Sequence, residues 1–127
     1  RIHLFLTCDM PFVSSRTMGD LMTVSSQHQR IACMQSRGYM GFPMVVPHST
    51  LLRIGDLLDA KQRCVQSLLS VPSTLCFAWQ EEDAAEACNI NTPEDLAIAR
   101  ECIERDGWMA PLIDRQKPLS CVQGNLS

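Results

Sequence analysis

No apolar run among these 127 residues approaches the roughly 20 that a membrane-spanning helix needs. The longest uncharged apolar stretches are of the order of Ile2–Leu6 and Met44–Pro47. No basic segment followed by an apolar core opens the chain, so no secretion signal is visible. Cys-x-x-Cys does not occur, which removes the close ligand pairs that a structural zinc site uses. Gly-x-Ser-x-Gly, His-Glu-x-x-His and a phosphate-cradling glycine loop are also missing. Without that loop these residues do not assemble a complete nucleotide site by themselves. Aromatic residues are only 6% of the chain, and the net charge of −3 gives no reason to expect a nucleic-acid partner. No glycine- or proline-driven repeat suggests a fibre.

What is present is ordinary for a folded, soluble chain. Apolar residues make up 46% and charged residues 20%, enough for one core and too little chain for two domains. The charge is uneven: residues 1–80 hold seven Lys/Arg and four Asp/Glu, whereas residues 81–127 hold four and ten. The seven cysteines are odd in number, widely spaced and set among apolar neighbours, as in Ile31-Ala32-Cys33-Met34 and Leu75-Cys76-Phe77. That pattern suits reduced core thiols in a cytoplasmic protein better than a disulfide framework.

The patterning alternates strands with helices. Ile2–Leu6 reads as a strand, ended by Pro11 a few residues on. Ser14 or Ser15 offers an N-cap for a helix over about 17–28 with Met18, Leu21, Met22 and Ser25 on one stripe. Ile31–Gln35 and Phe42–Val46 read as strands around a turn-rich link. Ser49 or Thr50 caps the next helix, which Gly55 weakens by roughly 1 kcal/mol relative to Ala, and a helical pattern continues over Lys61–Leu69. Thr74–Trp79 is a further strand, followed by the acidic loop Gln80–Glu86. Thr92-Pro93-Glu94-Asp95 then sets a Thr at N-cap, a Pro at the first helical position and acids in the first turn of a helix that Gly107 stops. Residues 107–127 read as a loose tail. The order predicts an α/β fold with a mixed or mostly parallel sheet, whose ligands sit at the carboxyl ends of strands.

Three residues at such ends are candidates for chemistry. Asp9 follows the first strand, where a carboxylate can hold Mg²⁺ through one oxygen while phosphates and water complete the octahedron. An Asp accepting backbone hydrogen bonds in a turn is the equal alternative. Asn89 and Asn91 project two amides from one side of an extended segment, suited to a polar heterocycle or a phosphate, with the dipole of the following helix favouring anions. The plainer alternative is that both amides tie the loop to the helix start. His3, His28 and His48 lack metal-ligand spacing, although His48, just after a strand, has a lesser claim to touch substrate.

The order of three motifs carries a resemblance. Ile2-His3-Leu4-Phe5-Leu6-Thr7-Cys8-Asp9-Met10-Pro11-Phe12-Val13 is similar to the strand-then-Asp-x-Pro-Phe signature of molybdenum cofactor guanylyltransferases, a signature shared with cytidylyltransferase relatives. Gly41-Phe42-Pro43-Met44-Val45-Val46 resembles that family's Gly-His-Pro and apolar strand, with Phe42 in place of the His. Cys88-Asn89-Ile90-Asn91-Thr92-Pro93-Glu94-Asp95-Leu96-Ala97 resembles its closing Asn-x-Asn-Thr-Pro-Glu-(Asp/Glu)-Leu. Together they cover about residues 2–104. The resemblance implies a Rossmann-like nucleotidyltransferase fold of which residues 1–106 form the C-terminal portion, without the N-terminal nucleotide-binding half. It implies Mg²⁺-dependent transfer of GMP from GTP to molybdopterin with release of pyrophosphate. Asp9 would hold Mg²⁺ at the GTP phosphates and serve catalysis, while Asn89 and Asn91 would lie on the molybdopterin side. Molybdoenzymes or other cofactor-biosynthesis proteins are the implied protein partners. The alternatives are a cytidylyltransferase of the same cofactor and a non-catalytic pterin-binding or interaction module.

Overall fold

A computed structural model of the chain describes residues 1–36, 39–59, 73–80, 86–106 and 119–124. In chain order the elements are β1 (Ile2–Phe5), α1 (Ser15–His28), β2 (Ala32–Ser36), β3 (Tyr39–Pro47), α2 (His48–Asp59), β4 (Leu75–Ala78), α3 (Pro93–Asp106) and β5 (Ser120–Gln123). The expected α/β architecture is present as a five-stranded mixed sheet of order β1-β3-β2-β4-β5. β3 is antiparallel to both β1 and β2, β4 is parallel to β2, and β5 is antiparallel to β4. β1, β2 and β4 therefore point the same way, and their carboxyl ends share one edge of the sheet.

The two-residue period of the strands divides the core into two faces. Ala32, Met34, Val45, Leu75 and Phe77 pack on one face with Leu21 of α1. Ile31, Cys33, Met44, Val46 and Cys76 pack on the other, against which Leu51 of α2 lies. Among the described residues, α1 thus packs on one face and α2 against the other. Leu21, the centre of the α1 stripe, is fully buried. The helix starts at Ser15, two residues before the expected 17, and of the two expected caps Ser14 serves: its hydroxyl accepts from the Thr17 N–H at 3.1 Å. It ends at Gln29, which turns left-handed (φ 52°) and whose N–H bonds the Ser25 carbonyl.

β3 runs longer at both ends than the apolar run Phe42–Val46 indicates, because its first residues pair with β2 through Ser36↔Tyr39. A proline inside this strand, which has neighbours on both sides, needs a local exception to the ladder. The register shift provides it: Cys33 opposes Met44 and Met34 opposes Gly41, leaving Phe42 and Pro43 as extra residues on β3.

α2 begins at His48, earlier than a cap at Ser49 or Thr50 would place it, and continues through Gly55 to Asp59 without a break. Gly55 is exposed and nothing lies within 4 Å of where its Cβ would be, so its cost there is one of propensity alone. The helical pattern over Lys61–Leu69 and the stop at Gly107 lie outside the described residues. The tail reading needs correcting at one place, since Ser120–Gln123 joins the sheet as β5. Cys121 packs toward the α1-side core while Val122 is exposed, an alternation too short to stand out in sequence. Gly124 closes the strand at φ +94°; a Cβ there would sit 2.7 Å from Leu75 Cδ2 and 2.9 Å from the Thr74 carbonyl oxygen.

The six described cysteines are free thiols. Cys33 and Cys76 are opposite one another on β2 and β4, fully buried, with Sγ atoms 3.8 Å apart. Donation to Cys76, together with burial, pushes the Cys33 thiol well above its usual range. Among the described residues no helix is long and apolar enough to cross a membrane.

Candidate functional site

The carboxyl end of β1 leads through exposed Leu6 into the turn at Cys8 and Asp9. Phe12, 6% exposed, anchors the chain behind Pro11 before Ser14 caps α1. The turn is therefore held from both sides. Asp9 is half-buried, and its Oδ1 is shielded from solvent with no hydrogen-bond partner among the described residues. The Thr7 hydroxyl, two residues earlier, is buried and unpaired in the same sense. An unmet buried acceptor costs roughly 1–3 kcal/mol, so this carboxylate is a group with unused bonding capacity.

The segment after β4 returns to this turn. The Ile90 N–H donates to the Asp9 carbonyl at 2.8 Å. That bond joins the Asp-x-Pro and Asn-x-Asn segments, which are some 80 residues apart in sequence. Asn89 and Asn91 flank Ile90 and are exposed. Upstream in the same segment, Glu86 is 3% exposed, and its Oε1 accepts from the Ser14 N–H at 2.7 Å and the Thr17 hydroxyl at 2.8 Å. In the sequence Glu86 reads only as the last acid of the acidic loop Gln80–Glu86. Nothing in the local sequence separates it from Glu81 and Glu82, because its partners lie 69 and 72 positions away.

The start of α3 differs from expectation in one electrostatic respect. Thr92 is its cap, accepting from the Asp95 N–H at 3.1 Å, and the Leu96 N–H bonds the Thr92 carbonyl. Asp95 Oδ2 in turn accepts from the Asn91 N–H at 3.0 Å and the Thr92 N–H at 3.1 Å. These donors are thereby occupied by the helix's own carboxylate, and Glu94 and Asp95 offset the dipole. An external anion is not favoured at that end. The same field reaches Cys88: burial first, then the charges of Asp95 and Cys102, push its thiol up.

His48 lies at the opposite edge, where β1 begins and β3 ends. Its Nδ1 is 3.0 Å from His3 Nε2, with ring centroids 5.2 Å apart. The nearly head-on geometry makes this a shared N–H···N bond between two imidazoles. The structure thus couples His48 to β1, far from Asp9, and does not bring it to the candidate site. Among the described residues no three His, Cys, Asp or Glu side chains converge as a metal cage. A cation at Asp9 would take most of its ligands from substrate and water, which is the habit of Mg²⁺.

No family model, curated protein or solved structure matches this chain.

Proposed function

We propose that these residues form the acceptor side of a Rossmann-like, Mg²⁺-dependent nucleotidyltransferase that transfers GMP from GTP to molybdopterin. The observation that carries the reading is the Ile90–Asp9 hydrogen bond, which joins two of the three motifs of the resemblance at the carboxyl edge of the sheet, beside a buried carboxylate oxygen with no hydrogen-bond partner among the described residues. In the reaction an oxygen of the pterin's terminal phosphate attacks the α-phosphorus of GTP. The bond from that phosphorus to its bridging oxygen breaks, and pyrophosphate leaves. Such transfers need in-line positioning and charge neutralisation more than a covalent helper. Bound Mg²⁺ supplies neutralisation of the phosphate oxygens.

The chain's own contribution is placement. Asp9 offers one carboxylate oxygen from the turn that follows β1, and Asn89 and Asn91 offer amide donors and acceptors to the pterin from an exposed segment. These residues contain no phosphate-cradling glycine loop, so the GTP phosphates are cradled by a segment outside them. Cytoplasm is the compartment that supplies these substrates and keeps the thiols reduced.

Calorimetry with molybdopterin, GTP and CTP tests the reading. The expected outcome is molybdopterin binding that weakens when Asn89 and Asn91 are both replaced by Ala, with weak, Mg²⁺-dependent binding of free nucleotide that is lost in Asp9→Asn. In the polypeptide completed with a phosphate-cradling segment, pyrophosphate release with GTP is expected. Release with CTP alone would move the assignment to the cytidylyltransferase, and pterin binding without transfer would make the chain a binding module. No pterin binding at all would overturn the reading.

A further inference from the structure

We infer that Glu86 is a positioning residue that sets the Asn89–Asn91 segment against Asp9, an inference that rests on reading the Asp9 edge as the reaction site. α1 does not need Glu86 as its cap, because the Ser14 hydroxyl already accepts the Thr17 N–H. A carboxylate buried to 3% exposure carries a desolvation cost of several kcal/mol unless its oxygens are well satisfied. Here one oxygen takes two short bonds, from the Ser14 N–H and the Thr17 hydroxyl, and both reach across the fold. Four residues further on, the Ile90 N–H bonds the Asp9 carbonyl.

Two ties therefore run between the same pair of segments, one at Ser14/Thr17 with Glu86 and one at Asp9 with Ile90. A single tie would act as a pivot; two fix both separation and angle. The segment is held a third time where Asp95 binds the Asn91 and Thr92 N–H groups to the start of α3. Asn89 lies between the first two anchors, and Asn91 follows Ile90 and is itself held at the third. Their amides are exposed, so the alignment comes from the backbone on which they ride. Loss of the Glu86 tie frees one end of that backbone while leaving both faces of the sheet packed.

The experiment is amide hydrogen exchange on the 127-residue chain, compared among the parent, Glu86→Gln and Glu86→Ala, alongside molybdopterin affinity with Mg²⁺. In Glu86→Ala, exchange at Ile90 is expected to rise at least about tenfold, while the β2–β3 amides keep their protection. Molybdopterin binding is expected to weaken by about tenfold or more. Glu86→Gln keeps an acceptor for the Ser14 N–H and should restore most of both. Where Glu86→Ala loses the β2–β3 protection, Thr17→Val removes one donor without opening a cavity, and a smaller rise at Ile90 is the expected result. Unchanged Ile90 exchange in a folded variant overturns the inference, whatever the affinity. A parent that binds no molybdopterin overturns the functional reading instead, and the exchange result still decides the clamp.

Discussion

Asp9 gives a test in which function and stability pull in opposite directions. Its Oδ1 is buried and lacks a hydrogen-bond partner among the described residues. Asp9→Ala deletes an acceptor whose desolvation is uncompensated, worth roughly 1–3 kcal/mol, and forfeits a few dispersion contacts. Because the residue is only half-buried, the lower end applies, and a net gain of about 1 kcal/mol is expected in the absence of divalent cations. An unfolding entropy of about 2.1 cal/mol/K per residue over this chain is about 0.27 kcal/mol/K, so Tm should rise by about 4 °C. Circular dichroism melts in EDTA measure it. With Mg²⁺ and GTP present on the polypeptide completed with a phosphate-cradling segment the order should reverse, since only the parent gains from the bound cation. If Asp9→Ala melts several degrees lower in EDTA, the carboxylate is serving the turn as a backbone acceptor, and the metal-ligand role fails.

Two further outcomes are expected. In the polypeptide completed with a phosphate-cradling segment, replacing Asn89 and Asn91 together by Ala should raise KM for the pterin while nucleotide affinity holds, measured by steady-state pyrophosphate release; equal losses for both substrates would show that the pair is structural. Thr92→Ala removes the acceptor for the Asp95 N–H and should cost about 1 kcal/mol, a fall in Tm of a few degrees, and an unchanged melt would mean that Asp95 alone sustains the helix start.

The parts of the molecule that were legible in sequence are those specified within a few residues. Ser14 capping α1 and Thr92 capping α3 follow from local hydrogen bonding, and the alternation in Ala32–Met34 and Leu75–Phe77 follows from the strand period. The strand order was not legible, because the insertion of β3 between β1 and β2 is decided by pairings such as Phe5↔Met44. β5 was missed for a similar reason: a four-residue segment becomes a strand only because β4 offers it an edge. At the site, Asp9 and the Asn pair stood out by their place after strands. Glu86 did not, and neither did the His3–His48 contact, since in each the partner is far away in sequence.

The ties at Glu86 also bear on the order in which the protein assembles. The β2–β3 hairpin closes across Ser36↔Tyr39, whereas the Glu86–Ser14 bond closes across 72 positions. By loop-closure entropy alone the longer closure is disfavoured by roughly 3 kcal/mol relative to the hairpin. On this count the β2–β3 hairpin is expected to close before residues 9 and 90 meet, and the junction between the two motifs to follow it. A nascent chain released before Glu86 has been synthesised would have its hairpin and α1 but no junction at Asp9.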